Sequence, residues 1–233
     1  MHRKVSVEGQ PYDLERAARV LIGPDVRITL EGGTAYLETS AISQAADAGT
    51  ARASAELLLR ELSGLLRLEF ELTAPLGAGS VVEIRADGSP MTTAFASVAA
   101  AASIVPVPAI HAGSAPPQPR PIDVALTKLS DPKVAFVGQL LAEPTSWLSL
   151  CKVIDAIADT EGGMEQLKQR GWIPATTIER ITLTGNAYET ALEGGRHAKV
   201  AFSLAKAKAS TIPLNDALAA VKGLVGEWIR SRP

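Results

Sequence analysis

The sequence predicts an α+β protein, with a small mixed domain over residues 1–104, a proline-rich linker over 105–121 and an all-helical domain over 122–233. Three observations carry this. Alternating apolar and polar residues around a double glycine mark a hairpin in the first third of the chain. Apolar residues at steps of three and four mark helices, most densely beyond residue 122. Between them Pro106, Pro108, Pro116, Pro117, Pro119 and Pro121 crowd a stretch that neither a helix nor a central strand can hold, because proline donates no amide hydrogen. At 233 residues the chain exceeds the usual size of one domain, which suits two.

The elements follow in order. DVRITL and AYLETS read as half-buried strands joined through Glu31-Gly32-Gly33-Thr34, where the glycines supply the backbone angles of a tight turn. In TARASAELLLRELSGLL, Ala51, Ala55, Leu58, Leu62 and Leu65 form one helix face, and Arg52, Glu56 and Arg60 share the solvent side. Three strands, LRLEFEL, SVVEIRA and TTAFASVAA, are expected to follow as a meander, with turns at Gly77-Ala78-Gly79 and Asp87-Gly88. The GAGS run at Gly77 to Ser80 lacks the lysine and the following helix of a phosphate-binding loop, so it too reads as a hairpin turn. The proline-rich stretch reads as an extended spacer, although the same composition suits a docking peptide.

Beyond the linker the helices carry their own start and stop signals. Asp131 with Pro132, and Thr145 or Ser146 ahead of Trp147, supply N-caps. Trp147, Cys151, Ile154 and Ala158 make one stripe, which Gly162 and Gly163 end. A short helix MEQLKQR and a helix opened by Pro174 precede a last helix whose Leu214, Leu218, Val221, Val225 and Trp228 repeat at four and three. That last stripe is expected to pack on the Trp147 helix, and would equally suit dimerisation.

Composition excludes several classes. With 46% hydrophobic and 4% aromatic residues the core must be built from Ala, Leu, Val and Ile. Lys and Arg number 9 against 13 Asp and Glu over residues 1–104, and 13 against 12 from residue 122 onward, so no basic surface runs the length of the chain. A single cysteine, Cys151, excludes an internal disulfide or a zinc cluster and reads as a small core hydrophobe. His2, His111 and His197 are scattered, so neither a metal nor a cofactor is expected, and no Ser-His-Asp set can be argued from unlinked residues. No apolar run approaches the roughly 20 residues that cross a bilayer, and no signal-peptide core is present; a cytoplasmic protein without membrane partners is expected.

One stretch looks placed for chemistry: ITLTGNAYETALEGGRHAKV, Ile181 to Val200. Arg180, Asn186, Arg196 and His197 lie in or beside what reads as a short polar interruption between helices. From Arg196 to Lys208 the chain carries Arg196, Lys199, Lys206 and Lys208 and no acid, a density suited to RNA phosphates and therefore to salt-sensitive binding through the three lysines. The order WLSLCKVIDAI, GWIPATTIERITLTGNAYETALEGGRHA and PLNDALAAVKGLVGEWI, within Ala135 to Ile229, resembles the C-terminal helical module of bacterial two-domain proteins of the HEPN-like group.

That resemblance implies a helical, often dimeric domain that handles RNA in conflict or defence systems, either as a metal-independent ribonuclease or as an inactive relative. Its active pattern sets an Arg a few residues before a His, the two converging across a dimer. Here Arg196 directly precedes His197, and Arg180 lies 17 positions before His197. Neighbouring side chains on a helix point about 100° apart, so the pair could grip one phosphate only where the backbone is irregular, as Gly194 and Gly195 permit. In that reading His197 is the general base on a ribose hydroxyl and Arg196 or Arg180 stabilises phosphate charge, with Asn186 close by. In the plainer reading Arg196 pairs with Glu189 or Glu193 and His197 ends a helix. The protein is then a non-catalytic binding or scaffolding protein, whose first domain takes a protein partner and whose helical domain dimerises.

Overall fold

The computed structural model describes residues 2–95, 120–186 and 211–233. The chain forms an α+β protein of two compact units, Met1–Leu126 and Thr127–Pro233.

The first unit is built on β1 (His2–Glu8), α1 (Pro11–Val20), β2 (Val26–Glu31), β3 (Thr34–Thr39), α2 (Ser40–Ser43), α3 (Ala48–Leu66), β4 (Gly77–Ile84) and β5 (Pro90–Thr93). The strands form one antiparallel sheet in the order β2-β3-β1-β4-β5. With α1 joining β1 to β2 and α3 joining β3 to β4, the first four strands have the connectivity of a split β-α-β unit. Val5 lies opposite both Leu37 and Val81, and α3 packs over β1 and β4 through Ala51, Ala55, Leu59 and Leu62. The face of α3 that is fully buried therefore uses Leu59 where spacing had pointed to Leu58.

The hairpin between β2 and β3 turns where the double glycine sits, with positive φ of 56° at Gly32 and 84° at Gly33. Other expectations are corrected. The central strand β1 and helix α1 went unforeseen, because HRKVSVE reads as a polar lead-in rather than the middle of a sheet. LRLEFEL is not a strand: Arg67, Leu68 and Phe70 donate their amides to the last carbonyls of α3, so the segment leaves the helix as turns. Phe70 and Leu72 still reach the core, and the Arg16 guanidinium lies 3.9 Å from the Phe70 ring centre. The GAGS run begins β4 instead of turning. A Cβ on Gly79 would stand 2.5 Å from Ser6 Oγ, so a larger residue there would push that hydroxyl off its hydrogen bonds with the Ser80 backbone. The meander thus reduces to β4 and β5; TTAFASVAA contributes Thr92 and Thr93 to β5, and from residue 96 it lies outside the described residues.

Helix α4 (Pro121–Thr127) follows the proline-rich stretch. The division between the two compact units falls after Leu126, and within the first unit the Ile122 amide of α4 donates to Glu69 Oε1 at 3.3 Å.

The second unit contains α5 (Pro132–Ala142), α6 (Trp147–Glu161), α7 (Met164–Gln169), α8 (Ala175–Asn186) and α9 (Leu214–Ser231). Its helix signals were read correctly from the sequence. Asp131 caps α5 by accepting from the Lys133 amide, Ser146 and Ser149 form a reciprocal capping box on α6, and Gly162 closes α6 with a left-handed φ of 90°. The predicted stripe of α6 is buried throughout, and α5, α7, α8 and α9 all pack on this helix. Trp228 of α9 is fully buried and its Nε1 donates to Thr160 Oγ1 of α6 at 3.1 Å, so the last stripe finds its partner inside the chain. Among the described residues no helix is long and apolar enough to cross a membrane.

Helices α8 and α6 approach closely at one glycine. A Cβ on Gly185 would stand 2.5 Å from the Sγ of buried Cys151. Ala in place of Gly usually favours a helix by about 1 kcal/mol. Here Gly185→Ala is expected to destabilise by about 1–3 kcal/mol through overpacking, lowering the urea midpoint, and Cys151→Ala in the same chain is expected to restore most of the loss. A stabilised single variant would show that the two helices separate freely.

Candidate functional site

The helical half of the predicted site is only partly placed. Arg180 lies within α8, and Asn186 is that helix's last residue. Six positions along an α-helix amount to about 9 Å and a change of face, so these two side chains do not converge through the helix alone. Arg180 Nη2 donates to the Thr211 carbonyl at 2.6 Å, while Thr184 Oγ1 donates back to the Arg180 carbonyl at 2.7 Å. Asn186 Oδ1 is buried and has no hydrogen-bond donor among the described residues. Arg196, His197, Lys199, Lys206 and Lys208, with Glu189 and Glu193, lie outside the described residues, as does His111.

A second arrangement, missed in the sequence, forms on the first unit. His2 at the head of β1, Glu38 near the end of β3 and Ser43 at the end of α2 meet there. His2 Nδ1 lies 3.0 Å from Ser43 Oγ, and its Nε2 lies 3.6 Å from Glu38 Oε2, beyond hydrogen-bond distance. Glu38 is anchored from β2: it accepts from Arg27 Nη2 at 2.6 Å, from Arg27 Nε at 3.2 Å and from Thr29 Oγ1 at 2.9 Å. Burial pushes the Glu38 carboxyl pKa up. The hydrogen bonds from Arg27 and Thr29, with the charges of Arg27 and His2, outweigh burial and hold it below the usual carboxylate value.

Local sequence explains the meeting. Thr39 caps α2 by accepting from the Ile42 amide, which turns the chain sharply after β3 and brings Ser43 back toward β1. On the opposite face of the sheet the buried pair Arg3–Glu83 joins β1 to β4, and Arg3 Nη1 also donates to the Ala45 carbonyl, fixing the segment after α2. Lys4 pairs with Glu31, its ammonium 4.1 Å from the Tyr36 ring centre. Positions 2, 38 and 43 are unrelated in the sequence, where the three histidines are scattered. The available signal was the apolar alternation of Val5 and Val7, which marks a strand and so places His2 on a sheet.

Other features hold less. Among the described residues no group of three or more His, Cys, Asp or Glu could bind a metal ion. A shallow groove between α1 and β2 is lined by Glu15, Ala18, Arg19, Ile28 and Leu30, with Arg19 and Glu15 paired at 3.9 Å along α1. Comparison with protein-family models, with curated proteins and with solved structures finds no match to this chain.

Proposed function

We propose that this is an RNA-handling protein of the HEPN-like kind, in which the helical unit presents the basic stretch from Arg196 to Lys208 to RNA phosphates. The observation that carries this reading is the hydrogen bond from Arg180 to the Thr211 carbonyl. It ties Thr211 to α8, the helix that ends at Asn186, so the described residues on either side of the segment that carries the basic stretch belong to, or bond to, one packed helix. Arg180 then serves as a positioning residue, with one arm of its guanidinium engaged by the main chain. Lys199, Lys206 and Lys208 supply the phosphate contacts. His197 takes the proton of a ribose 2′-hydroxyl, the freed oxygen attacks phosphorus, and Arg196 stabilises the charge that develops there. No metal is required, and the role fits bacterial conflict or defence.

The test is incubation of the purified chain with total RNA in excess chelator, beside His197→Ala and Arg196→Ala. Cleavage by the parent chain, lost in both variants, is the expected result; intact RNA in every lane sinks the nuclease. Replacing Lys199, Lys206 and Lys208 by Gln is expected to flatten the salt dependence of binding by about 0.7 per lost single-strand phosphate contact in the log–log slope.

A second reading, a non-catalytic scaffold that dimerises through its helical unit and takes a protein partner on its first, draws on Phe136 and Leu148, which are 52% and 41% exposed on that unit. With the Trp228 stripe already packed on α6, such a dimer would use these side chains instead. Intact RNA together with a dimer that Phe136→Ser dissociates in light scattering would favour it.

A further inference from the structure

We propose that Ser43 is an activated nucleophile, with His2 as its general base and Glu38 as the carboxylate that orients the imidazole, and that its substrates are activated carboxylic esters. This site lies on the first unit and stands apart from the RNA reading.

Three elements deliver the groups. An imidazole nitrogen within hydrogen-bond reach of a hydroxyl, with the other ring nitrogen facing a carboxylate, is the arrangement that activates a serine. His2 Nδ1 stands 3.0 Å from Ser43 Oγ and Nε2 stands 3.6 Å from Glu38 Oε2. The tautomer required carries its proton on Nε2, toward Glu38, and leaves the Nδ1 lone pair for the Ser43 hydroxyl. Three donors from Arg27 and Thr29 fix Glu38 in position, and its Oε2 faces Nε2 from 3.6 Å, a separation that must tighten by about half an ångström with substrate bound for the carboxylate to hold that tautomer. The His2 ring is about half exposed and Ser43 is partly exposed, so an ester can reach the hydroxyl from solvent.

The reaction balances without a further reagent. Ser43 Oγ bonds to the acyl carbon as its proton passes to His2; the alcohol or phenol leaves with that proton, and water then releases the acid by the reverse path. The environment also sets the substrate class. The amides that follow Ser43 are engaged, Gln44 with the Ser40 and Ile42 carbonyls and Ala45 with the Ile42 carbonyl. They offer no hydrogen bonds to a developing oxyanion, and one such donor is worth about 10²–10³ in rate. Esters with good leaving groups, which need that help least, should react; amides should not.

The test is labelling of the full chain with a fluorescent fluorophosphonate, in which the serine oxygen displaces fluoride from phosphorus, followed by peptide mass spectrometry. The expected result is label on Ser43, absent in Ser43→Ala and at least tenfold slower in His2→Gln, with p-nitrophenyl acetate hydrolysis falling in parallel. His2 is exposed at a strand end, so the Gln variant should keep the parent's circular dichroism, and His2→Asn provides a second case. No label on the native chain, label on another serine, or undiminished labelling in both His2 variants would overturn the proposal.

Discussion

Arg3→Met is expected to remove about 3–5 kcal/mol of stability from the first unit, because it strands the Glu83 carboxylate in the interior. Both partners are buried, Arg3 at 8% and Glu83 at 4% exposure, and they face each other directly across β1 and β4. Burying two charges costs several kcal/mol per ion, which their attraction offsets only while both remain. The companion Arg3→Met/Glu83→Leu chain should therefore recover most of the loss, though the Ala45 carbonyl still loses this donor. All three tryptophans, Trp147, Trp172 and Trp228, belong to the second unit, so the transition of the first must be followed by amide exchange or circular dichroism. A single variant that loses under about 1 kcal/mol would mean that water reaches Glu83 freely.

The second large effect is expected at Trp228. Trp228→Ala removes a fully buried indole from between α9 and α6, and large-to-small changes of this kind cost about 3–5 kcal/mol. Trp228→Phe retains much of the packing but deletes the donor to Thr160, and should lose about 1–2 kcal/mol. Urea unfolding followed by the fluorescence of Trp147 and Trp172 separates the two cases. Equal losses in both variants would place the stabilisation in the hydrogen bond instead of the packing.

What was legible in the sequence was local. Ser146, Asp131 and Gly162 act on backbone groups a few residues away, and an apolar stripe such as Trp147 to Ala158 needs only its own period to be recognised. What was hidden depended on distant partners. Arg3 is buried because Glu83, eighty positions later, lies opposite it, and nothing beside Arg3 announces this. LRLEFEL alternates like a strand, yet Phe70 and Leu72 reach the core from turns and the backbone amides find the end of α3. The same limit applied to His2, Glu38 and Ser43, whose meeting is created by strand order and a cap at Thr39. For the proposed RNA contact, the run of charge is legible in the sequence, and the structure adds the hydrogen bond from Arg180 to Thr211.

The central place of β1 has a consequence for biosynthesis. Its neighbours are β3 and β4, the latter ending at Ile84, so this middle strand is translated before either of the strands that flank it. At roughly 5–20 residues per second it waits several seconds on the ribosome with both edges unpaired. An apolar strand left open for that time would recruit other chains. His2, Arg3 and Lys4 set polar and charged side chains at the head of this strand, the kind of residue that guards an unpaired apolar strand against aggregation.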